Sequence, residues 1–274
     1  MKLLHCIAPL LALYVSSTLA ADPLARSGWK LAWADEFEIP GAPDPSKWGY
    51  EVGMIRNSEL QFYTKDRREN ARIEGGSLII EARKERFVDP ANPKTVAEYT
   101  SGSIQTRGLA DWLYGRIEVR AKLPVGRGIW SGIWMMPTDQ RTRWPGSGEI
   151  DIVENVGWEG DFVHASIHTG AYNHLTNTQK TAKVAASKIG DKFHVYTCEW
   201  DEKDIVFYVD NVRCMTYKND RKGTFETWPF DKPFYLKLNA AVGGSWAGRK
   251  GVDDAAFPQA LEVDYVRVYQ PSKP

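Results

Sequence analysis

Short runs in which apolar and polar residues alternate recur along the chain, with turn residues between them. Residues 77–83 (Ser-Leu-Ile-Ile-Glu-Ala-Arg) follow Gly75-Gly76, and residues 115–122 (Gly-Arg-Ile-Glu-Val-Arg-Ala-Lys) alternate throughout. Residues 235–239 and 261–269 do the same. In an extended strand successive side chains point to opposite faces, so each run predicts a strand with one buried face. Residues 194–200, 205–209 and 212–217 read as three successive strands, joined by short turns at 201–204 and 210–211. Helical periodicity is scarce. Residues 181–192 would form a turn or two at most and read better as a loop. Many short strands punctuated by Gly and Pro indicate an all-β sandwich or barrel.

The chain has 274 residues, room for one all-β domain of the larger kind or two small ones. Residues 1–20 read as a secretory signal. Lys2 is basic, residues 3–19 are mostly apolar, and Thr18-Leu19-Ala20 ends in a small residue. That stretch is too short and interrupted for a good membrane span, and no later segment is long and apolar enough for one. Cleavage fits equally after Ala20 or Ala21. Cys6 lies too early for a lipoprotein cleavage site. No repeat, linker or appended module is visible. The expectation is a leader over 1–20 and a single domain over 21–274, in a secreted or periplasmic protein.

Charge narrows the partners. The whole chain balances 35 basic against 35 acidic residues. Losing the leader removes only Lys2, leaving 34 against 35, a net of −1 with His neutral. There is no basic stripe, so nucleic acid is not an expected partner. A neutral substrate suits this balance better than a strongly sulfated one. The chain carries eleven Trp, all after the leader. Indole stacks on the C–H faces of sugar rings, and about half of these residues are expected in the core instead. The chain is expected to work as a monomer.

Cys198 and Cys214 remain after the leader. Simple hairpin register puts Cys198, Phe207 and Cys214 in one row across three strands. Two strand spacings separate the cysteines by about 9.5 Å. A disulfide needs Cα atoms within roughly 7 Å, so two free thiols are expected.

Residues 149–154 read Glu-Ile-Asp-Ile-Val-Glu. Three carboxylates in a β-branched strand repel, raise one another's pKa and cost stability. In a regular strand Glu149 and Asp151 share a face, while Glu154 points to the other. One extra residue, a β-bulge at Ile152–Val153, would return Glu154 to the face of the other two. Paired carboxylates of this kind suit glycoside hydrolysis, in which a retaining enzyme sets nucleophile and general acid roughly 5–5.5 Å apart. The assignment is Glu149 as nucleophile, Asp151 as assisting residue and Glu154 as general acid/base, with environments that separate their pKa values. On spacing alone, a strand end carrying merely solvated acids stands as the other reading.

Residues 148–154, Gly-Glu-Ile-Asp-Ile-Val-Glu, resemble the active-site signature of glycoside hydrolase family 16 in its bulged form, typical of laminarinases, bacterial mixed-linkage glucanases and agarases. The resemblance extends over nearly all of the chain after the leader. It includes 33–37 (Trp-Ala-Asp-Glu-Phe), 57–64 (Asn-Ser-Glu-Leu-Gln-Phe-Tyr-Thr), 114–120 and 128–137. It continues through 144–148 (Trp-Pro-Gly-Ser-Gly), 239–246 (Asn-Ala-Ala-Val-Gly-Gly-Ser-Trp) and 263–269. It implies a jelly-roll β-sandwich of concanavalin-like type, a concave substrate cleft and a retaining mechanism.

Further candidates surround the acids. Trp130 and Trp134 are four apart and share a face if their strand is regular. The resemblance places them beside the acids, Trp130 toward sugar and Trp134 toward the core. Trp144 precedes the signature, and Trp246 follows Gly243-Gly244 on an expected loop. His168 could pair with Asp151 or Glu154. Asn57, Glu59 and Gln61 alternate and could hydrogen-bond sugar hydroxyls, whereas Arg56 and Arg72 read as solvated or structural charges. Catalysis needs no cofactor. The resemblance also implies a structural calcium away from the cleft, held by Asp264, a Gly76 carbonyl and the segment around Glu36, oxygen ligands that suit that ion.

The leading expectation is a secreted endo-acting β-glucanase cleaving β-1,3 bonds of laminarin-type or mixed-linkage glucan. The alternatives are a family relative acting on agar or another β-galactan, and a catalytically silent carbohydrate-binding sandwich. The laminarinase-like segments at 57–64 and 239–246 favour the first, and the intact acid set argues against the last.

Overall fold

The computed structural model describes residues 28–139 and 141–272. The anticipated leader over 1–20 lies outside them. Two β-sheets face each other. The ten-stranded sheet runs in the order Val212–Lys218, Asp204–Val209, His194–Trp200, Gly115–Lys122, Gln259–Pro271, Ser77–Val88, Val96–Ser101, Gln61–Tyr63. Trp29–Asp35 pairs with Gln259–Pro271, and Ala71–Glu74 with Ser77–Val88. The seven-stranded sheet runs Lys180–Ala185, Phe162–His168, Glu149–Val156, Ile129–Pro137, Phe234–Val242, Ser103–Gln105, Gly49–Tyr50, antiparallel throughout. This is the expected jelly-roll sandwich.

The alternation read from the sequence decides which side chains fill the space between the sheets. Ile117, Val119, Ala121, Val263, Val266 and Val268 come from one sheet. Ile133, Met135, Ile150, Ile167, Leu236 and Leu238 come from the other. Burying a side chain of this size is worth roughly 1.5–3 kcal/mol, so register is strongly held wherever such a face exists. Four of the eleven tryptophans, Trp48, Trp112, Trp200 and Trp228, belong to this core. Among the described residues no helix is long and apolar enough to cross a membrane.

Two local readings change. Residues 181–192 begin not as loop but as the end of an edge strand, Lys180–Ala185, paired only with Phe162–His168. An edge strand needs no continuous apolar face, and here Ala182 and Val184 are only half-buried. The cysteine row is also offset by one. Cys198 pairs with Phe207 as expected, but a bulge at Phe207/Tyr208 pairs Phe207 with Met215. Cys214 takes the slipped position, its Sγ donating to the Phe207 carbonyl at 3.4 Å. Both thiols are free.

Candidate active site

Glu149–Val156 lies inside the seven-stranded sheet, between Ile129–Pro137 and Phe162–His168. Its apolar residues Ile150, Ile152 and Val153 enter the core, two of them consecutive. That doubling is the bulge. Against Phe162–His168 the register is Glu149 with His168 and Asp151 with Ser166, then shifts to place Glu154 with His164. Against Ile129–Pro137 it is Asp151 with Trp134, then Val153 with Ile133 and Glu154 with Gly132. Glu149, Asp151 and Glu154 therefore share the face turned away from the core. Gly132 opposite Glu154 keeps that face open. A Cβ there would meet Trp134 at 3.2 Å and the Asn239 Oδ1 at 3.3 Å.

The acids are not a solvated strand end. Asp151 is 2% exposed, and Glu149 and Glu154 are half-buried. Burial raises all three. Glu149 is pushed up to about 8, with the Asp151 charge and their mutual hydrogen bond adding to burial. Asp151 is raised by burial, against the hydrogen bond from Glu149. Glu154 stands well above the carboxylate range, by burial and then the Asp151 charge. Charges this close cannot all form, so the row retains protons where free carboxyls would have none. His168 Nε2 lies 3.2 Å from Asp151 Oδ2, and ligand atoms of Glu149, Asp151 and His168 lie within 4.8 Å of one another.

Aromatic rings flank the row. The Trp130 Nε1–H donates to Glu154 Oε1 at 3.1 Å. Its ring meets Trp246 edge-to-face at 5.5 Å, and Trp246 in turn meets His164 at 4.9 Å. His164 is held by Glu159 at 2.6 Å, and Lys183 pairs with the same carboxylate at 3.0 Å. Trp246 sits on a single helical turn, Gly244–Ala247. At the other end Trp144 packs 6.0 Å from His168 and 4.8 Å from His174. The expected Trp130, Trp144, His168 and Trp246 thus gather around the acids. His164 escaped the reading, although its spacing from His168 through Ser166 placed all three on one face.

Trp134 is not core. It shares the outer face with Trp130, and its Nε1–H donates to Asn239 Oδ1 at 2.8 Å. Lys237 Nζ stands 4.1 Å from its ring centroid and the Arg56 guanidinium 5.2 Å. Both cations pair with Glu51, Lys237 at 2.7 Å and Arg56 in a close contact. Burial opposes ionisation of Glu51, yet the Arg56 and Lys237 charges hold it down at about 2. Burial pushes Lys237 down to about 8, helped by Arg56 and resisted by Glu51. Arg56 is therefore no solvated charge, whereas Arg72 pairs with Glu74 and Glu81 on the opposite sheet as a structural one. Nothing in the alternation of 235–239 pointed to Lys237.

The Asn57, Glu59, Gln61 reading needs correction. Asn57 and Ser58 have φ of 55° and 54°, so no strand alternation exists there, and the strand begins at Gln61. Gln61 is fully buried. Its amide donates to Glu59 at 2.8 Å and accepts from the Val242 N–H at 2.7 Å, so it braces the sheet. Glu59 is 5% exposed and accepts from Asn57, Gln61 and Tyr63. Only Asn57 of the three is exposed.

Register pairs Asp35 with Val266 and Leu78 with Val263, which brings Glu36, Gly76 and Asp264 to one corner of the ten-stranded sheet. The Glu36 carboxylate is held at both oxygens by Arg267, and Asp264 Oδ2 by Arg120 at 2.5 Å. A cation there would rest on backbone carbonyls and the remaining Asp264 oxygen.

Comparison with known proteins agrees with the family resemblance read from the sequence. The family model described as "Glycosyl hydrolases family 16" matches residues 58–267. A β-glucanase of Rhodothermus marinus is 49% identical over 251 residues, covering 88% of this chain and 85% of its own. The solved structure of the laminarinase from Rhodothermus marinus superposes with a TM-score of 0.85 at 48% identity, over 89% of this chain and 98% of that one. A non-specific endo-β-1,3(4)-glucanase, crystallised with 1,3-β-D-cellotriosyl-glucose, superposes at 0.86 with 49% identity, over 89% and 96%. With a family model spanning most of its length and a relative 49% identical over most of both chains, this chain belongs to glycosyl hydrolases family 16.

Proposed function

We propose that this protein is an endo-acting retaining β-glucanase that hydrolyses internal β-1,3-glucosidic bonds of laminarin-type or mixed-linkage glucan. The observation that carries the proposal is the bulge that lines up Glu149, Asp151 and Glu154 beside Trp130 on the open face of the sheet. The β-1,3 linkage is supported by the similarity to an endo-β-1,3(4)-glucanase and to a laminarinase, and by the laminarinase-like segments at 57–64 and 239–246.

Glu149 is the nucleophile. Its carboxylate oxygen bonds to the anomeric carbon as the bond to the leaving sugar breaks, and Glu154 gives its proton to the departing oxygen. Water then attacks the same carbon and yields a proton to Glu154, and the ester to Glu149 breaks. Two inversions restore the starting anomer. The productive state has two protons on three carboxyls: Glu154 keeps one, and the proton that Glu149 otherwise donates to Asp151 lies on Asp151 when Glu149 attacks. Asp151 keeps Glu149 oriented, and His168 anchors Asp151. Trp130, Trp144, Trp246, His168 and Asn57 contact sugar.

NMR of laminarin hydrolysis should show the β-anomer first, with a ladder of oligosaccharides. An initial α-anomer would defeat the mechanism, and glucose as sole product would defeat endo action. Cleavage of agarose without laminarin would place the enzyme among the galactan-acting relatives, and no turnover of any polysaccharide would leave only a binding role.

Three further readings accompany this one. Residues 1–20 form a leader removed on export to the periplasm or beyond, and residues 21–274 form one domain that acts as a monomer. N-terminal sequencing of exported protein, and its mass in solution, test these. A structural calcium sits at the Glu36, Gly76, Asp264 corner, and chelator should then lower Tm with calcium restoring it.

A further inference from the structure

Lys237 is a charge where the fold asks for none. It is 4% exposed, on the same outer face as the acids, and flanked in sequence by the core residues Leu236 and Leu238. An apolar side chain would cover Trp134 without the cost of burying an ammonium group. Its place in the sheet is specific. Lys237 pairs with Trp134, and Trp134 pairs with Asp151, so one cross-strand row runs from acid to indole to cation. The indole is pinned by its bond to Asn239, and Lys237 rests on its face. The ring stands between two buried charges, so screening is weaker than in bulk solvent.

Resting on the glucanase reading above, we propose that Lys237 is a positioning residue for the reaction, its buried ammonium lowering the pH at which the carboxylate row drops to two protons, with Glu149 ionised and Glu154 keeping its own. The neighbouring charges fit this role. Glu51 is shared by Lys237 and Arg56, so this trio presents one net positive charge to the row. Glu59 lies beyond Arg56, with its carboxylate occupied by three donors. Ile129–Pro137 contributes no charged group of its own to the row. Phe162–His168 contributes His168 at Asp151 and His164, which is paired with Glu159, and His174 lies beyond His168. Among these groups the acids are thus countered from one side by His168 and from the other by Lys237, whose field lowers the Glu149 carboxyl.

Two strand spacings place the Lys237 backbone about 10 Å from that of Asp151. At that distance a unit charge in a protein environment moves a titration by roughly half a unit to one unit. The test is the acid limb of kcat/KM against pH on laminarin, which reports the ionisation that frees the nucleophile. Lys237→Met should move that limb up by this amount, Lys237→Arg should leave it in place, and Glu51→Gln, which unbalances the trio toward positive, should move it down. A Lys237→Met enzyme that is slower at every pH with an unmoved limb would overturn the proposal. So would shifts of the same sign in Lys237→Met and Glu51→Gln. If Lys237→Met fails to fold, an unmoved limb in Glu51→Gln overturns it alone. A wild type inactive on laminarin would instead defeat the glucanase reading. Lys237 would then be read from Tm against pH, where Lys237→Met should steepen the loss of stability between about pH 5 and 8 and an unchanged slope would overturn the proposal.

Discussion

Glu149→Gln should make the protein more stable, and by an amount that depends on pH. In the unfolded chain Glu149 ionises near its ordinary 4.5, whereas in the fold it does so only at about 8. The unfolded state therefore loses the proton first. Between those values the native state binds more protons than the unfolded one, so wild-type stability falls as pH rises through that window. The full penalty of holding that proton from 4.5 to about 8 has a ceiling on the order of 5 kcal/mol. Two features reduce it. Glu149 is only half-buried, and once its charge is gone Asp151 ionises more readily and takes up part of the cost. About 2 kcal/mol should remain at pH 8 and close to none at pH 4. Gln keeps the shape and still donates to Asp151, so packing is unchanged. For a chain of this size the gain corresponds to a Tm increase of roughly 4–8 °C at pH 8. Calorimetry of both proteins at several pH values reads the difference, in which the titrations of all other groups cancel. A difference that does not vary with pH, or one that shrinks as pH rises, would refute the reasoning and return the acids to the status of solvated surface groups.

The same variant should turn over good and poor leaving groups alike very slowly, while Glu154→Ala should still be glycosylated by an activated aryl glycoside, with azide capturing the intermediate as a β-glycosyl azide. Trp130→Phe removes a donor that favours ionised Glu154, so the alkaline limb of the pH–rate profile should move upward; an unmoved limb would separate Trp130 from the acid. Trp246→Ala should raise KM about fivefold, the equivalent of roughly 1 kcal/mol for one stacked ring, with little change in kcat. Denatured, unreduced protein without residues 1–20 should titrate with two free thiols from Cys198 and Cys214, and a count of zero would contradict the register of their strands.

The acid row was legible because its signal is local. Six residues contain both the alternation and its interruption, and core packing of Ile152 and Val153 is the only context needed to turn the spacing into a bulge. Strand boundaries over 115–122 and 194–200 were legible for the same reason. What escaped depends on distant partners or on backbone conformation. Lys237 meets Glu51 across 186 positions, so nothing beside it in the chain marks it as paired. Asn57 to Gln61 looked like alternation only until two left-handed residues broke it. The bulge at Phe207/Tyr208 is carried by no Gly or Pro, and so the cysteine row slipped by one without a visible cue.

The place of Gln259–Pro271 governs the order in which the molecule can be completed. This strand lies in the interior of the ten-stranded sheet, between Gly115–Lys122 and Ser77–Val88, and Trp29–Asp35 also pairs with it. A chain made from its N-terminus has most of the sheet's strands available but no bridge between its two halves until the final segment arrives. Until then both halves show unpaired edges to solvent, which invite pairing with other chains. The closing step brings together residues 29 and 271, near opposite ends of the described residues, and carries the largest loop-closure cost of any strand pairing among them. A chain shortened by the length of that strand should therefore accumulate as open, aggregation-prone halves rather than as a slightly weakened sandwich, and an intact one remains unclosed during synthesis for as long as its last strand is missing.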